Sequence, residues 1–436
     1  MTRASVRNTR HAVHLDALEH AYADILASHG YDAVLLYSGQ AHTFFADDQQ
    51  ASFAPFGHFL HWVPLPGIQH SWLRIRPGDA PLLRFHAPKD FWHLAPEPPT
   101  AAWTHRFAIE PTPETGPPAT GGGRVALLGE VEPSLARELG AELNPPALLA
   151  ALDELRLRKS AYEIDRLRDA NRLALAGHRA ARDAFEAGGA ELDIQLAYLA
   201  ASRQRESDVP YQNIVGLNAH GGVLHYQHYD LEPPARQLSL LVDAGRRDAG
   251  YCADITRTWA GRDADPRFAA LIEAVTQLQQ SLIDAIAPGV AFPDLHRRMH
   301  QQLGELLVDQ GLVCCSAAAA VERGMTRAFC PHGLGHSLGL QVHDVGGRRD
   351  AKGRYLPPPR QDPALRLTRT LETGMVVTVE PGLYGIPMLL EPLRDTSAGC
   401  DIAWDAVASL YEHGGIRIED NVAVTETGAD NLTRET

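Results

Sequence analysis

The chain has 436 residues, of which 44% are hydrophobic and 22% charged, and its formal net charge is -14. That length predicts two domains with room for large cores, and the composition is that of a globular protein. The acidity excludes a nucleic-acid partner, because no basic stripe exists to match phosphates.

No stretch approaches the roughly 20 apolar residues that cross a bilayer, so no membrane partner is expected. The opening MTRASVRNTRHAVHLDALEH has no apolar core of the kind a secretory signal requires. The five cysteines (Cys252, Cys314, Cys315, Cys330 and Cys400) form no CxxC pair. An odd count of that kind fits reduced thiols, and the expected location is cytoplasmic.

Taken along the chain, HAVHLDALEHAYADILASHG has helical spacing and closes on Gly30. The apolar runs AVLLYSG, FLHWVPL, HSWLRIR, APLLRF and RVALLGE then predict strands parted by turns. Residues 111–123, PTPETGPPATGGG, read as a surface loop because a strand resumes directly after them. The better domain boundary lies near 155, giving an N-terminal domain 1–154 and a C-terminal domain 155–436. The second begins with a long amphipathic region broken at Gly188-Gly189, in which Ser160 and Glu163 have the spacing of a capping box. Two more helical regions follow, one ending at Pro288-Gly289 and one over PDLHRRMHQQLGELLVDQG. The expected fold is α/β (α+β): a small N-terminal α/β domain, then helices packed on a curved, largely antiparallel sheet.

Five side chains lie in or beside the β-rich runs of the second half: Asp243 and Asp254 in LVDAGRRDAGYCADITRTW, His336 in PHGLGHSLGLQVHDVGG, Glu380 in VVTVEPGLYG and Glu419 in GIRIEDNVAVT. A lone charge there is costly to bury, and four carboxylates converging with one imidazole repel unless cations hold them. Asp243 and Asp254 would flank a hairpin whose turn falls between Asp248 and Ala249, so that they face each other across the ladder; like charges directly opposed destabilise a strand pair. The alternation in GIRIE puts Arg417 and Glu419 on one side, with Arg417 orienting the acidic cluster or forming an exposed edge ion pair. Glycines around His332 and His336 argue for a loop rather than a helical ligand pair. One histidine of this segment then suits a metal, and His332 and His343 suit hydrogen bonding or proton transfer. Oxygen-rich ligation without thiolates selects Mn²⁺, with Co²⁺ or Zn²⁺ as alternatives, and Cys252 and Cys330 read as buried thiols. Two such ions lower the pKa of a water, so the reaction class is hydrolysis.

Together these segments, with the lead-in helix RLRKSAYEIDRLRDAN, resemble the pita-bread metallopeptidases, the family of methionine aminopeptidase, aminopeptidase P and prolidase. YSG and FADDQQASFAPFGHFLHWVPLP narrow the resemblance to the bacterial prolidases, Xaa-Pro dipeptidases. It implies a cytoplasmic homodimer, usually with manganese, that splits dipeptides having proline at the C-terminal position. Asp243 and Asp254 would bind one ion and His336 and Glu380 the other, with Asp254 and Glu419 bridging. Glu380 would shuttle the proton; His225, His332 and His343 would surround the scissile carbonyl and the proline. Arg366 would take the substrate carboxylate, and Tyr211 would shape the pocket. Gln49-Gln50-Ala51 departs from the expected apolar stretch. If that loop reaches an active site across a dimer interface, Asp47 or Asp48 would bind the free α-amino group. Removal of an N-terminal residue from longer peptides and non-catalytic peptide binding are the alternative functions; weak organophosphate hydrolysis is an expected side activity.

Overall fold

The computed structural model describes residues 3–434 and divides into two compact units. The first runs through Arg166 and takes in residues 351–354; the second comprises Leu167–Asp350 and the chain from Tyr355 onward.

The first unit is built on a mixed sheet of β1 (Ala33–Tyr37), β2 (Trp72–Ile75), β3 (Leu82–His86), β4 (Ala108–Thr112), β5 (Val125–Leu128) and β6 (Glu142–Leu143), in the order β4-β3-β2-β1-β5-β6. Both faces are covered, so β1 and β5 are apolar throughout and entirely buried. Leu15, Leu18, Tyr22 and Leu26 from α1 (Arg3–His29), Phe59 and Trp62 from α2 (Gly57–Trp62), and Leu148 and Leu152 from α4 (Pro146–Leu157) fill one side. Leu135 of α3 (Pro133–Glu138) packs on the other. The run FLHWVPL, expected as a strand, instead lies largely in α2. Every residue of that helix is buried, so no polar face betrays its period. Most of the Pro/Gly-rich 111–123 segment is an exposed loop before β5.

The long amphipathic region is two helices, α4 and α5 (Ala161–Glu186), because the backbone leaves helical geometry before Ser160 and restarts there. The capping box is present: the Ser160 amide donates to Glu163 Oε2 (2.8 Å) and the Glu163 amide to Ser160 Oγ (3.4 Å).

Among the described residues the second unit has only antiparallel pairings: β7 (Ile214–Leu217), β8 (Ser239–Asp248) and β9 (Tyr251–Ala260) in one sheet, β10 (Val376–Val379), β13 (Asp420–Val424) and β14 (Ala429–Asn431) in another, and β11 (Gly382–Tyr384) with β12 (Gly415–Arg417). A Thr256–Glu419 bridge ties β9 to the turn between β12 and β13. Phe185 of α5 and Ile194 and Tyr198 of α6 (Glu191–Ser202) pack on Leu240, Val242 and Ala244 of β8. Apolar stripes of α7 (Pro266–Asp284) and α8 (Phe292–Asp309) join Val377, Val379 and Val422 in the largest core. Helix α7 stops short of Pro288-Gly289, as expected of a chain that must turn before a proline.

In the first unit Glu163 is 2% exposed and faces His61 (3.3 Å) and His14 (3.7 Å). Burial alone would raise its pKa, but the two histidines and the Ser160 amide hold the carboxyl far below its ordinary 4.5. The folded-state value is depressed, so the stabilisation is present above 4.5 and is lost as pH falls. Glu163→Gln is expected to cost about 2 kcal/mol, the scale of a hydrogen bond to a charged group. It should also flatten the loss of stability between about pH 5 and pH 3 in denaturant titrations, and an unchanged acid limb would remove Glu163 from that role.

Candidate active site

The β8–β9 hairpin sets the geometry. Its turn is Ala249-Gly250, both with positive φ (49° and 94°), and Asp248 pairs with Tyr251. Asp243 therefore opposes Thr256, and Asp254 opposes Gly245. The two aspartates share a face but sit diagonally, two residues out of register, not directly opposed as the sequence suggested. Their face is the polar one; Leu240, Val242 and Ala244 point the other way, into the α5–α6 core. Gly245 is required here: a Cβ would lie 2.2 Å from the Ala253 carbonyl and 2.9 Å from the Tyr211 ring. In its absence Tyr211 reaches across, and its hydroxyl lies 2.7 Å from Asp243 Oδ1 and 2.5 Å from Asp254 Oδ1.

His336 comes from an irregular loop laid against β10. A Cβ on Gly335 would lie 2.1 Å from the Thr378 carbonyl, so only glycine permits that approach. Thr378 links two of the site residues: its hydroxyl accepts from the His336 amide (3.0 Å) and donates to Glu380 Oε1 (3.2 Å). Glu419 is fixed by its amide on the Thr256 carbonyl (3.0 Å) and by the Thr256 hydroxyl on Oε2 (2.7 Å). Arg417 is buried and donates to Asp243 Oδ2 (2.7 Å), Tyr384 (2.8 Å) and Thr256 (3.1 Å). The exposed edge ion pair is thereby ruled out, and Asp243 is the carboxylate that Arg417 holds.

The charges do not balance among the protein groups. Burial, and the neighbouring carboxylates, push Glu419 well above the ordinary range, and burial takes Glu380 up to about 7. Burial and Asp254 raise Asp243 in spite of Arg417. Against the pull of burial, His336 holds Asp254 low, while Asp254 and Glu380 raise His336. The ring of His336 explains why. Its Nδ1 donates to the Ser337 carbonyl (3.1 Å), which leaves Nε2 as the lone pair of the neutral ring. That nitrogen faces Asp254 Oδ2 at 3.3 Å and Glu380 Oε1 at 3.6 Å. A lone pair aimed at two carboxylates calls for a proton or a cation between them. Donor atoms of Asp254, His336 and Glu419 all lie within 4.8 Å of one another, so this donor set fits a divalent ion.

Three other histidine–carboxylate groupings occur among the described residues, and in each the carboxylate is already engaged. Glu163 takes the Ser160 amide, Asp362 takes Arg327 (2.7 Å), and Glu191 takes two backbone amides. The Asp254–His336–Glu419 grouping instead opens on a cavity of about 820 Å³. Asp243, Glu380 and Arg417 also line it, as do Tyr211, His225, His332, His343 and Arg366, so the second-half residues expected to hold metal or substrate meet in one place. Within it, His332 has both ring nitrogens engaged, by the Gly333 carbonyl and the Tyr384 hydroxyl (2.8 Å each). Burial and Arg417 take its pKa down to about 3. His343 stacks edge-on against His336, and burial with that neighbour lowers it to about 4. His225 and Arg366 are exposed at the cavity wall, while Asp47 and Asp48 lie exposed in the first unit, in a loop closed by the Thr43–Gln50 bridge. Cys252 and Cys330 are buried, and burial pushes their thiols up to about 11 and about 12.

Sequence reading missed the groups that hold these side chains: Thr256, Thr378, Tyr384 and Asn421, the last exchanging hydrogen bonds with the Asp254 backbone (3.0 and 2.5 Å). A signal existed. Thr256, Thr378 and Asn421 each stand two residues from Asp254, Glu380 or Glu419, on the same strand face. Arg348 was also missed; it lines the cavity and donates to the Leu365 carbonyl (2.7 Å), next to Arg366.

The profile of metallopeptidase family M24 matches residues 165–426, and that of the Xaa-Pro dipeptidase N-terminal domain matches residues 9–153. The chain is 50% identical to the Xaa-Pro dipeptidase of Marinobacter nauticus over 424 residues, covering 97% of each chain. It is 44% identical to that of Aeromonas hydrophila, covering 97% of this chain and 98% of the relative. Among solved structures, Pseudomonas aeruginosa aminopeptidase PepP matches with a TM-score of 0.72 at 22% identity, over 98% of this chain and 94% of that one. Proline aminopeptidase P II of Yersinia pestis matches with a TM-score of 0.71 at 23% identity, over 99% and 96%. At those identities the structures establish a shared fold.

The charge imbalance has a measurable consequence. Added divalent cation is expected to raise the Tm of the chelator-treated protein. Because the folded-state pKa of Glu419 is raised, its ionised form opposes folding at neutral pH. Glu419→Gln should therefore leave the metal-free protein at least as stable as the parent while shrinking the cation-induced rise. A metal-free variant that melts well below the parent would contradict this.

Proposed function

The chain belongs to metallopeptidase family M24, and on that premise we propose that it hydrolyses Xaa-Pro dipeptides, releasing free proline, with two divalent ions. The observation that carries the reading is the meeting of four carboxylates and the His336 lone pair in one cavity, in a chain half identical to an Xaa-Pro dipeptidase along nearly its full length.

Asp243 and Asp254 would hold one ion and His336 and Glu380 the other, with Asp254 and Glu419 shared between them. The donor set is that of Mn²⁺, with Co²⁺ or Zn²⁺ as alternatives. Bound ions would supply a water acidified toward neutrality and polarisation of the scissile carbonyl. The remaining chemistry belongs to side chains. An Xaa-Pro bond is a tertiary amide without an N–H, so its nitrogen must be protonated to leave. Glu380, whose carboxylate lines the cavity beside His336, is the group that would take a proton from the attacking water and pass it to the proline nitrogen. His343 is a neutral imidazole here, which suits it to hydrogen-bond the carbonyl rather than to stand as a fixed cation, and His332, also neutral, would turn to the substrate by giving up its Tyr384 bond. Tyr211 holds the two aspartates together and bounds the pocket, and Arg417 restrains Asp243. Arg366 offers a forked contact to the substrate carboxylate, with His225 on the same cavity wall. Short substrates are favoured because that carboxylate must lie within reach of the scissile bond.

No helix among the described residues is long and apolar enough to cross a membrane. A cytoplasmic homodimer is what the resemblance to the bacterial prolidases implies. Phe45, Phe91, Trp92 and Leu94, from 77% to 100% exposed, supply apolar surface of the kind a second copy covers.

A panel of Xaa-Pro dipeptides, Xaa-Pro-Xaa tripeptides and paraoxon, assayed with Mn²⁺ and then a chelator, tests the proposal. Dipeptides should be cleaved far faster than tripeptides, paraoxon weakly, and the chelator should abolish all three. Comparable tripeptide turnover would assign an aminopeptidase, and no hydrolysis at all would leave a binding module. In the same assay Glu380→Gln should lose at least about 100-fold in kcat, the usual worth of a general acid–base group. Arg366→Ala should chiefly raise KM, by about tenfold or more, the loss of one charge-assisted contact. A wild-type kcat in the first, or an unchanged KM in the second, would remove the role assigned.

A further inference from the structure

The segment between β7 and β8 forms part of the cavity wall with little regular structure of its own. Leu224, His225 and Gln227 line the cavity, and the segment's regular element is one short 3₁₀ turn, Asn218–Gly222. What fixes it is a carboxylate from another element. Glu191, in the first turn of α6, is 1% exposed and accepts four hydrogen bonds from this stretch. Oε1 receives the Leu217 amide and His220 Nδ1, both at 2.8 Å. Oε2 receives the Tyr226 hydroxyl (2.7 Å) and the Asp230 amide (2.8 Å).

The bonded residues bracket His225. The ring of His220 stacks on Tyr226 at 4.4 Å, and Tyr226 is buried. With its immediate neighbour pinned inward by Glu191, His225 is left facing the cavity. The base of the segment is closed separately: the Asn218 side chain donates to the Arg236 carbonyl (2.8 Å) and accepts from the Leu238 (2.8 Å) and Ser239 (3.2 Å) amides. Without Glu191 the ends would stay tied, while the middle would lose the acceptor for two backbone amides and two side chains.

We propose that Glu191 is a positioning residue for the substrate pocket: its buried carboxylate, through the Leu217, His220, Tyr226 and Asp230 donors, sets where His225 stands at the cavity wall. This rests on the reading of the cavity as the dipeptide site. Glu191 acts through the segment and touches none of the five metal-site residues.

Glu191→Gln tests it sharply, because a side-chain amide presents N–H where an acceptor is needed. Whichever way it turns, one backbone amide, Leu217 or Asp230, is left facing a donor. Tyr226→Phe removes one of the four bonds and keeps the rest. The expected result for Glu191→Gln is a KM for Xaa-Pro dipeptide raised about tenfold, kcat within about threefold, and unchanged metal content; Tyr226→Phe should show a smaller rise in KM of about threefold. Hydrogen exchange of the substrate-free protein should accelerate across residues 217–230 and stay unchanged in β8 and β9. Wild-type KM in both variants, or exchange unchanged in 217–230, overturns the proposal; if Glu191→Gln does not fold, Tyr226→Phe decides alone. A parent enzyme that hydrolyses no Xaa-Pro dipeptide would sink the functional reading instead, and the exchange measurement would still decide whether Glu191 fixes the segment.

Discussion

A guanidinium and an imidazole set against four carboxylates is the imbalance around which the second unit is organised. Arg417 can neutralise one carboxylate, and does so at Asp243. The others are held by groups that carry no net charge: the Tyr211, Thr256 and Thr378 hydroxyls and the backbone. Neutral donors orient a carboxylate without cancelling its charge, so the site stays hungry for cations while its geometry is already set. That combination distinguishes it from the Glu163, Asp362 and Glu191 groupings, where amides or a guanidinium leave the carboxylate satisfied.

Antiparallel strands make this economical. Period-two alternation gives each strand of the site one apolar face, pressed on α5 and α6 or on α7 and α8, and one polar face toward the cavity. Site residue and support then stand two apart in sequence, but each support serves the neighbouring segment: Thr256 beside Asp254 holds Glu419, and Asn421 beside Glu419 holds the Asp254 backbone. The aiming of each group thus depends on β9 and β13 lying side by side.

Much of this was legible in the chain. The acidic residues and His336 that meet in the cavity, the alternation in GIRIE, the capping box at Ser160 and the ends of the main helices follow from local rules, and local rules can be read from a sequence. What escaped reading depended on distance or on ambiguity. The hairpin turn was misplaced by one residue because Ala249 adopts a left-handed conformation that alanine seldom takes, and that small error displaced the pairing by two. FLHWVPL carries no periodic signal because every side of α2 is buried. Glu191 was invisible for a third reason: its four partners lie 26 to 39 residues away, in a stretch with no pattern to extrapolate.

The two-residue turn at Ala249-Gly250 also bears on how the chain reaches its fold. A slip of a single position along the β8–β9 ladder would rotate either Asp243 or Asp254 away from its companion and toward the oily side. Such a mispaired hairpin offers an incoming ion no second aspartate. Ions present during folding would therefore reward one alignment among the competitors, acting as a proofreader of strand pairing long before any peptide arrives.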